Sequence, residues 1–475
     1  MDIQSFLEIE KKYDLYHIEV NGVQCWQYVR FRFWNYKICS NKLRLASSTA
    51  KQSIKEIVCR NVSNIWYILT HPSVRRLHQA DICFINHSRR VKNQDIYECI
   101  YTDKLVKEYY PDCVVLEKPF QMQHLRPVDT PDLYYTDIIS IKGNLYYQFH
   151  ARSKSKLYKK IKEEVSKHFR APIEEILATY GVEIKCTQIE KELVRAVLES
   201  IVLKKQYRRI LESIKPKAII EVVSYAKQCM IINEIAKEKN ILTIELQHGT
   251  MHADHAAYQY VEDCGAIAQF PDVIFAFSDY WKRCIHVPID ESQIIAVGYP
   301  YFERKLEQYP KVPHDKKTIL FISQGTIGTE LSKLAAELFR LLDSSEYRII
   351  YKLHPEEYSG WPDRCPWLCQ EGIEVVDSLE HNIYEYFAQS DIQVGAYSTA
   401  IYEGLGFGLQ TYIYQVGHAD TMKELCEQGY ATLVRDANEL VDAVKADVDS
   451  KQASAEKFWI RNALQNMKDE IDNLM

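Results

Sequence analysis

Short apolar runs alternate with amphipathic helical segments along residues 318–414, and this alternation restricts the fold more than any other feature of the sequence. The apolar runs predict strands at residues 318–323, 347–352, 373–376, 391–394 and 410–414. Helices are predicted between them at residues 330–342, 383–389 and 398–406. Strands that are connected through helices run parallel and form a sheet that is covered on both faces. Residues 317–450 are therefore predicted to form a doubly wound α/β domain.

The first half of the chain shows the same alternation, interrupted by a long helical region. Strands are predicted at residues 81–86, 113–117, 218–223, 242–246 and 272–277, and helices at 102–110 and 227–239. Residues 152–213 have continuous helical periodicity with almost no Gly or Pro, which predicts a helical insertion or a layer on the sheet. A length of 475 residues exceeds one ordinary core. We therefore expect another α/β domain at residues 81–300, followed by a polar linker that contains proline.

Residues 1–80 lack this alternation and are expected to form a hairpin followed by a basic, partly helical region. The hairpin is predicted to turn at Asn21-Gly22. Residues 30–76 contain ten Lys or Arg and a single acidic residue, Glu56, with Trp and Tyr interleaved. This composition has two interpretations, a segment that lies on an anionic membrane surface and a solvated helical face with a few core aromatics.

Charge and cysteine content exclude several classes of protein. A net charge of −6 argues against a general nucleic-acid binder. The 13 Cys are scattered without a Cys-x-x-Cys pair, which predicts reduced thiols and a cytoplasmic protein. The N-terminus lacks a signal-peptide pattern, and no apolar run approaches the roughly 18 residues of a membrane span. We therefore expect neither secretion through a signal peptide nor a transmembrane helix.

Three loops of the second domain follow predicted strands and should meet at one edge of its sheet. They are residues 323–328, which include Gln324 and Gly325, and residues 354–355 and 395–399. Ser398 and Thr399 begin a helix, where hydroxyls and free backbone N–H groups form an anion site at the positive end of the helix dipole. Glu403 lies one turn further on the same face and is expected to accept hydrogen bonds from ribose or sugar hydroxyls. The alternative is that Ser398 only caps the helix and that Glu403 is a solvated charge.

His354 and Pro355 stand at the carboxyl end of the predicted strand at residues 347–352. Proline has no N–H to offer the sheet, so it ends the strand and leaves the imidazole at the edge. Lys352 precedes His354 by two positions and is expected to point to the same side. A cation beside an imidazole at a strand end suits a phosphate, whereas a single His more often caps a turn or fills a polar pocket.

In the first domain, the residues that suit chemistry are concentrated in one loop after a predicted buried strand. His248 precedes Gly249, and a glycine allows a substrate to approach closely. A neutral imidazole near pH 7 is a suitable general base for an acceptor hydroxyl. His252, Asp254 and His255 are also metal-ligand types, but the helical His-Glu-x-x-His spacing is absent. No metal site is therefore expected.

Five motifs resemble those of bacterial cell-surface glycan transferases of the GT-B type. They are Gln247-His-Gly249, Phe277-Ser-Asp-Tyr-Trp281, Val297-Gly-Tyr-Pro300, Lys352-Leu-His-Pro355 and Tyr397-Ser-Thr-Ala-Ile-Tyr-Glu-Gly404. This broad group includes capsule and lipopolysaccharide sialyltransferases, Kdo transferases and teichoic-acid glycerophosphotransferases. The resemblance implies two Rossmann-like domains that face each other across a cleft, with an extra helical segment in the N-terminal half. It also implies that a C-terminal helix in residues 451–475 packs back across the domains.

The resemblance implies roles for individual residues as well. In these families, His-Pro and Ser/Thr motifs hold the phosphate and nucleotide of the donor, which implies that role for His354, Ser398 and Thr399. The histidine of a His-Gly loop is catalytic in the glycerophosphotransferases, which implies His248. The Asp/Glu-Asp/Glu-Gly motif of the sialyltransferases is not found in that form, so it does not identify the donor.

Residues and resemblance together predict an inverting, metal-independent glycosyltransferase of bacterial surface polysaccharide synthesis. His248, assisted by Asp254, is expected to deprotonate an oligosaccharide or lipid-linked glycan acceptor. The acceptor attacks a nucleotide-activated sugar, a CMP-sugar being favoured, and the loops of the second domain stabilise the leaving phosphate. No cofactor and no nucleic-acid partner are expected, and residues 30–76 are the candidate contact with the inner face of the plasma membrane. Two alternatives remain, a CDP-glycerol or polyol phosphotransferase and a non-catalytic scaffold of a capsule assembly complex.

Overall fold

The chain forms two α/β domains, each built on a parallel sheet, and the two-domain fold predicted from the sequence is confirmed. The computed structural model describes residues 3–39, 74, 76–120, 123–370, 372–378, 380–417, 419–446 and 455–475. Among the helices described there, none combines the length and the apolar character that crossing a bilayer requires.

The N-terminal segment packs against the first domain. It consists of helix α1 (Gln4–Lys12), a hairpin of β1 (Glu19–Val20) and β2 (Val23–Gln24), and helix α2 (Gln27–Phe33), which continues as a π-helix over Trp34–Cys39. Asn21 and Gly22 have φ angles of 50° and 70°, so the hairpin turns at the predicted dipeptide. The Trp26 ring lies 5.9 Å from the Phe169 ring of the helical layer described below.

Arg30 and Trp34 are buried. Trp34 is thus one of the core aromatics of the second interpretation of residues 30–76, whereas a buried Arg30 was not expected by either interpretation. The Arg30 guanidinium pairs with the Glu10 carboxylate at 2.8 Å, and both side chains are shielded from water. A buried charge requires such a partner because an unpaired one costs several kcal/mol. Residues 40–73 hold most of the basic stretch and lie outside the described residues, so their membrane contact stays a prediction.

A seven-stranded parallel sheet forms the centre of the first domain. In chain order, the strands of the domain are β3 (Ile82–Ile85), the small hairpin β4 (Val91–Asn93) and β5 (Ile96–Glu98), β6 (Val114–Glu117), β7 (Leu133–Tyr135), β8 (Ala218–Val222), β9 (Leu242–Leu246), β10 (Val273–Ala276) and β11 (Ile294–Ala296). The order across the sheet is β11-β10-β9-β8-β3-β6-β7. All residues of β3, β6, β8 and β10 are buried, as expected for strands covered on both faces. Strands β7 and β11 were not predicted, because each is a short edge strand of three residues.

Helices cover both faces of this sheet. They are α3 (Asp103–Tyr109), α4 (Asp137–Ser153), α5 (Lys156–Thr179), α6 (Cys186–Ile214), α7 (Lys227–Glu238) and α8 (Asp279–Lys282), and α9 (Pro300–Gln308) leads to the second domain. The predicted helical insertion at residues 152–213 starts earlier, at Asp137, and is a layer of three helices. Its buried residues, which include Phe169 and Leu193, join one apolar core with the N-terminal segment. Each fully buried Leu, Ile or Phe stabilises this core by about 1.5–3 kcal/mol.

A six-stranded parallel sheet forms the second domain. Its elements are β12 (Lys317–Ile322), α10 (Gly328–Leu341), β13 (Tyr347–Lys352), α11 (Trp361–Arg364), β14 (Ile373–Val376), α12 (Ile383–Ala388), β15 (Ile392–Gly395), α13 (Thr399–Gly406), β16 (Gln410–Tyr414), α14 (Lys423–Glu427), β17 (Thr432–Val434) and α15 (Ala437–Lys445). The order across the sheet is β14-β13-β12-β15-β16-β17. Five predicted strands occur at the predicted places, and only the edge strand β17 was not predicted.

An aromatic cluster joins the two domains near the C-terminus. The Trp281 indole donates a hydrogen bond to the Phe458 carbonyl at 3.0 Å, and its ring lies 4.7 Å from the Tyr402 ring of α13. Trp459 is also buried in this cluster. Helix α16 (Ala463–Leu474) then returns to the first domain, where Met467 joins the apolar cluster of that sheet.

Candidate active site

Each sheet reverses its strand order at one point, and the candidate residues lie at these two points. In the first domain, β3 is the first strand of the sheet, and its neighbours β6 and β8 lie on opposite sides of it. In the second domain, β12 comes first, with β13 and β15 on either side. Ligands of open parallel sheets bind in the crevice at the carboxyl ends of the strands where the order reverses. The loops after β3, β8, β12 and β15 therefore line the two crevices that are expected to bind ligands.

His248 lies beside the crevice of the first domain. Its Nε2 atom is 3.0 Å from the Tyr225 hydroxyl, which belongs to the loop after β8. Tyr101 donates a hydrogen bond from its hydroxyl to the His248 carbonyl at 2.7 Å. The His87 ring, in the loop after β3, lies 6.1 Å from the His248 ring. Side chains from three separate loops thus surround one imidazole.

The imidazole of His248 is neutral over the physiological pH range. Burial lowers the pKa of His248 to about 3, and His87 lowers it further because a second positive charge nearby is unfavourable. The Nδ1 atom is buried and has no hydrogen-bond partner among the described residues. The neighbouring Gly249 faces open space, since a Cβ placed there would meet nothing within 4 Å. A reacting group can therefore approach this loop without displacing a side chain.

Asp254, which the sequence predicts to assist His248, forms no direct hydrogen bond with its imidazole among the described residues. Neither ring nitrogen of His248 bonds to the Asp254 carboxylate within the described chain, because Nε2 faces Tyr225 and Nδ1 has no partner there. The backbone carbonyl of Asp254 instead accepts a hydrogen bond from the Trp34 indole at 2.9 Å. Arg30 donates to the carbonyl of Gln259 at 3.0 Å in the same loop. Asp254 thus belongs to the part of the loop that the N-terminal segment holds in place.

Tyr225 is positioned by a buried carboxylate beneath it. Glu245 on β9 accepts hydrogen bonds from the Ser224 N–H at 3.0 Å and from its hydroxyl at 2.6 Å. It also accepts one from the Tyr258 hydroxyl at 2.7 Å. The Tyr225 ring packs 4.4 Å from the Phe31 ring of α2. The turn that carries Tyr225 is therefore held from the sheet below and from the N-terminal segment beside it.

Sequence reasoning missed His87, Tyr101 and Tyr225. His87 and Tyr225 follow predicted strands closely, so the same strand-end rule that selected His248 could have found both. Tyr101 precedes helix α3 with no such signal, and it is separated from His248 by 147 positions. Its role depends on how the loops fold together.

The crevice of the second domain contains three of the predicted residues, Ser398, Thr399 and Gln324. Ser398 caps helix α13, its hydroxyl accepting from the Ala400 N–H at 3.2 Å, and Thr399 begins the helix. Across the crevice, the Gln324 side-chain oxygen accepts a hydrogen bond from the Tyr397 N–H at 3.4 Å. The Ser398 and Thr399 side chains are half-buried, so they are accessible from the cleft. The N-cap interpretation of Ser398 is thus correct, and it leaves the remaining N-terminal N–H groups of α13 available to an anion.

Gly325 and His354 meet at the same edge of the sheet through the loop that Pro355 begins. The His354 N–H donates to Glu357 Oε2 at 2.8 Å, and its Nδ1 accepts from the Glu356 N–H at 3.3 Å. His354 thus caps the short 3-10 helix Pro355–Glu357, which is the turn-capping alternative of the sequence. Its side chain is 42% exposed, and Nε2 has no partner among the described residues.

Two glycines of the loop after β12 lie against the carboxylates of this cap. A Cβ on Gly325 would lie 3.3 Å from Glu356 Oε2, and one on Gly328 would lie 1.8 Å from Glu357 Oε1. Any side chain at position 328 would displace the carboxylate that accepts from the backbone of His354. The loop after β12 and the loop after β13 are therefore in close contact.

Lys352 does not point into the crevice, which corrects the prediction that it binds a phosphate beside His354. Its ammonium donates to the Tyr358 hydroxyl at 2.7 Å and to the Ser378 carbonyl at 3.3 Å. Burial lowers the pKa of Lys352, and Asp377 opposes that shift. The side chain joins the end of β13 to the loop after β14 and has a structural role.

Glu403 is a shielded carboxyl and not a solvated helix charge. The Tyr384 hydroxyl donates to its Oε1 at 2.9 Å. Burial raises the pKa of Glu403 to about 7, and the hydrogen bond from Tyr384 opposes the shift. The carboxyl is therefore about half protonated at neutral pH, a state that suits both hydrogen bonding to hydroxyls and proton transfer.

Glu403 also connects the two crevices. Burial raises the pKa of the Tyr101 and Tyr299 hydroxyls, and the nearby Glu403 charge raises both further. The Tyr101 and Tyr299 rings stack at 5.8 Å. Tyr101 also bonds to the His248 carbonyl, so it links that loop of the first domain to the surroundings of Glu403 in the second.

The two other histidines of the His-rich loop, residues 247–259, lie close to each other. The His255 ring stacks on Phe31 at 5.1 Å and lies 5.5 Å from the His252 ring. Across the described parts of the chain, no group of three or more His, Cys, Asp or Glu side chains is arranged as a metal site.

Known proteins resemble this chain in structure but not in sequence. No protein-family model matches it, and no curated protein matches it either. A protein from Listeria monocytogenes that is assigned as a UDP-N-acetylglucosamine 2-epimerase has a TM-score of 0.51 at 12% identity, covering 83% of this chain and 96% of its own. The UDP-GlcNAc 2-epimerase from Methanocaldococcus jannaschii has a TM-score of 0.50 at 10% identity, covering 84% and 100%.

The wall teichoic acid polymerase TagF is a further similar structure, with a TM-score of 0.44 at 14% identity over 88% of this chain and 95% of that one. At such low identity, the likeness to the epimerases establishes the fold alone. The chain therefore has the two-domain architecture of the GT-B type, in which two Rossmann-like domains face each other across a cleft.

Proposed function

We propose that the protein transfers a sugar from a nucleotide-activated donor to a hydroxyl group of a glycan acceptor, with inversion at the sugar carbon. One observation carries this proposal. Tyr101 bonds to the carbonyl of His248, whose imidazole is neutral, and lies near Glu403 of helix α13, the helix that begins at Thr399. An anionic leaving group and a proton acceptor on opposite sides of a sugar are what an inverting displacement requires.

The donor binds in the crevice of the second domain. Its phosphate lies at the N-terminus of α13, where Ser398, Thr399 and the backbone N–H groups carry positive dipole charge. His354 and Gly325 follow the neighbouring strands β13 and β12, and we assign them to the same phosphate. Glu403 accepts hydrogen bonds from the ribose or the sugar.

The acceptor lies against the crevice of the first domain. His248 takes the proton of the acceptor hydroxyl, the oxygen forms a bond to the sugar carbon, and the bond from that carbon to the phosphate oxygen breaks. The phosphate leaves with the electron pair and is stabilised by the N-terminus of α13. The free imidazole is a weak base, since its pKa is about 3. A bound phosphate raises that pKa, because the nearby negative charge favours the imidazolium form.

A second candidate is an epimerase that acts on a nucleotide sugar without any acceptor. Two observations favour it: the epimerases of Listeria and Methanocaldococcus share the fold, and Glu403 has a pKa of about 7 in the cleft. A carboxyl of that pKa can remove and return a proton at a sugar carbon near neutral pH.

One experiment separates these reactions. The protein is incubated with UDP-, GDP- and CMP-sugars, including UDP-GlcNAc, and with CDP-glycerol, each with and without a glycan acceptor extract. Nucleotide release and the NMR spectrum of the sugar are followed, with His248→Ala as the inactive control. Acceptor-dependent release from a nucleotide sugar supports the transferase. A changed sugar that stays attached to its nucleotide without acceptor supports the epimerase.

Two further outcomes overturn both candidates. CMP release from CDP-glycerol alone among the donors identifies a polyol phosphotransferase. No turnover of any donor, together with no calorimetric binding of any nucleotide, identifies a non-catalytic scaffold.

A further inference from the structure

Helix α4 exposes an apolar stripe on a basic surface. Ile141, Leu145 and Phe149 are 44%, 61% and 67% exposed, and their spacing of four residues places them along one side of the helix. The opposite side of α4 packs on α6. Gly143 of α4 is so close to Leu203 of α6 that a Cβ on Gly143 would lie 2.3 Å from the Leu203 side chain. The core of the first domain therefore does not use the exposed stripe.

The charged residues between Asp137 and Glu163 are all basic. Residues 138–162 contain seven Lys or Arg and no Asp or Glu, and all seven side chains are exposed. They are Lys142, Arg152, Lys154, Lys156, Lys159, Lys160 and Lys162. The only ion pair among them within the described chain is between Lys160 and Glu164, at 3.7 Å. Six cations thus have no acidic partner in the part of the chain that the structure describes.

The turn between α4 and α5 keeps these groups together. Lys154 ends α4 in the left-handed conformation, and Ser155 caps α5 by accepting from the Tyr158 N–H at 3.1 Å. His150 Nδ1 lies 2.7 Å from the Ser155 hydroxyl. Phe149 and the cations at the start of α5 are therefore on adjoining parts of one surface.

We propose that the exposed face of α4 and the first turns of α5 bind the surface of an anionic lipid bilayer. Large apolar side chains that project from a basic helix enter the boundary between headgroups and acyl chains, while the cations pair with lipid phosphates. A bilayer suits both features, whereas a nucleic acid would leave Leu145 and Phe149 exposed to water. The cations without an acidic partner are attracted to a negatively charged surface, and an anionic bilayer is therefore the occupant that we propose.

Helix α4 begins at the carboxyl edge of the sheet of the first domain. Helix α4 starts at Asp137, directly after β7, and the carboxyl end of β7 is on the same edge of the sheet as those of β3, β8 and β9. Ile141 is four residues into the helix, about 6 Å along its axis. The first exposed residue of the stripe is therefore close to this edge of the sheet, at β7, four strand positions away from β9. The inference does not depend on the reaction that the cleft catalyses.

The test is sedimentation of the full chain with vesicles. Vesicles of phosphatidylcholine are compared with vesicles that contain about one third phosphatidylglycerol, at low salt and at about 0.5 M NaCl. Binding to the anionic vesicles and its weakening by salt are expected. The variant Leu145→Ser/Phe149→Ser and the variant Arg152→Gln/Lys156→Gln/Lys159→Gln should each lose affinity, the latter by roughly 100-fold if each cation contributes about fivefold.

Matched control variants carry changes of the same kind on the second domain. Leu341→Ser removes a side chain of 45% exposure, and Arg340→Gln/Lys423→Gln/Lys445→Gln removes three exposed cations. These variants should bind as the parent does. Hydrogen exchange with and without vesicles should show protection of residues 138–162, and circular dichroism verifies that every variant is folded.

Several outcomes would overturn the proposal. They are absence of vesicle binding by the parent, equal losses in the control variants, and protection confined to residues outside 138–162. Unchanged binding of Leu145→Ser/Phe149→Ser would reduce the surface to a general polyanion site. A parent that is a dimer in ultracentrifugation, and that this double variant converts to a monomer, would identify a second copy of the chain as the occupant.

Discussion

The Nε2 atom of His248 lies 3.0 Å from the hydroxyl oxygen of Tyr225, although the two residues come from loops that follow different strands. The contact orients the imidazole at the edge of the cleft and leaves Nδ1 buried without a partner among the described residues. A ring held in this way can exchange a proton with a ligand only if the ligand replaces Tyr225 at Nε2 or gains access to the buried Nδ1. The predictions on activity below depend on this geometry.

His248→Ala should reduce turnover by roughly 100-fold or more, the usual loss for a general base. Donor affinity should remain close to that of the parent, because the proposed donor crevice lies in the other domain. Steady-state kinetics and calorimetric titration with nucleotide measure the two quantities. His252→Ala, a change in the same loop, is the matched control and should retain activity. A His248→Ala protein with parental turnover would remove His248 from the mechanism.

Tyr225→Phe should alter the pH profile of the reaction more than its substrate binding. The variant keeps the ring that packs on Phe31 but loses the hydroxyl beside His248 Nε2. Turnover should fall by about tenfold because the imidazole is no longer oriented.

If His248 is the base, kcat/KM should stay high down to about pH 5, since the pKa of His248 in the free protein is well below that value. A limb near pH 7 that disappears in Glu403→Gln would instead identify Glu403 as the titrating group.

Glu403→Gln should remove a pH dependence of stability. The pKa of Glu403 is about 7 in the folded protein against 4.5 for an ordinary Glu, so the folded state binds more protons between these values. Its contribution to stability is therefore full below about pH 4.5 and is lost as the pH rises through about 7, by about 3 kcal/mol in all.

The neutral glutamine should thus make the protein more stable than the parent at pH 8, and the difference should vanish near pH 4.5. Denaturant unfolding at the two pH values measures it. Glu307→Gln changes an exposed carboxyl on α9 and should show no such difference. Equal pH dependence of the parent and Glu403→Gln would show that the carboxyl has an ordinary pKa.

Thr399→Val should weaken nucleotide binding by about 1–3 kcal/mol without changing thermal stability, because it removes a hydroxyl from the anion site but no helix cap. Ser398→Ala should weaken nucleotide binding and also lower thermal stability, since the lost cap on the Ala400 N–H costs about 1 kcal/mol. Calorimetry and thermal unfolding of the two variants separate binding from folding. Unchanged affinity in both would place the donor phosphate elsewhere.

Arg30→Met should destabilise the protein by about 3–5 kcal/mol, because it leaves the Glu10 carboxylate buried without its partner. It should also lower activity, since Arg30 holds the carbonyl of Gln259 in the His-rich loop. Arg32→Met is the matched control, a change in the same helix at an exposed side chain. If the two variants unfold at the same denaturant concentration, the ion pair contributes nothing measurable.

Much of the fold could be predicted because its strands are short runs of apolar residues. Ten strands were predicted at the right places, and all ten belong to the two parallel sheets, which helices cover on both faces. Strands β7, β11 and β17 could not be found in this way, because edge strands of three residues bury too little to show a pattern. The extent of the helical layer was also underestimated, since α4 carries its apolar residues on two sides.

The candidate site was only partly predictable. The strand-end rule selected His248, His354, Ser398 and Thr399, and each lies at the carboxyl edge of its sheet. It failed for Lys352, because alternation along a strand predicts a direction but not the partners that come from another loop. Tyr358 and Ser378 capture that ammonium, and neither can be recognised from the strand itself.

The order of strands and helices, the position of His248 at a strand end and the helix start at Ser398 are local properties, and the sequence by itself determined them. The chemical state of the site was decided only by the tertiary structure. Burial between elements distant in the chain lowers the pKa of His248 and raises that of Glu403. Solvent exclusion depends on everything that packs around a group, so no single stretch of sequence contains it.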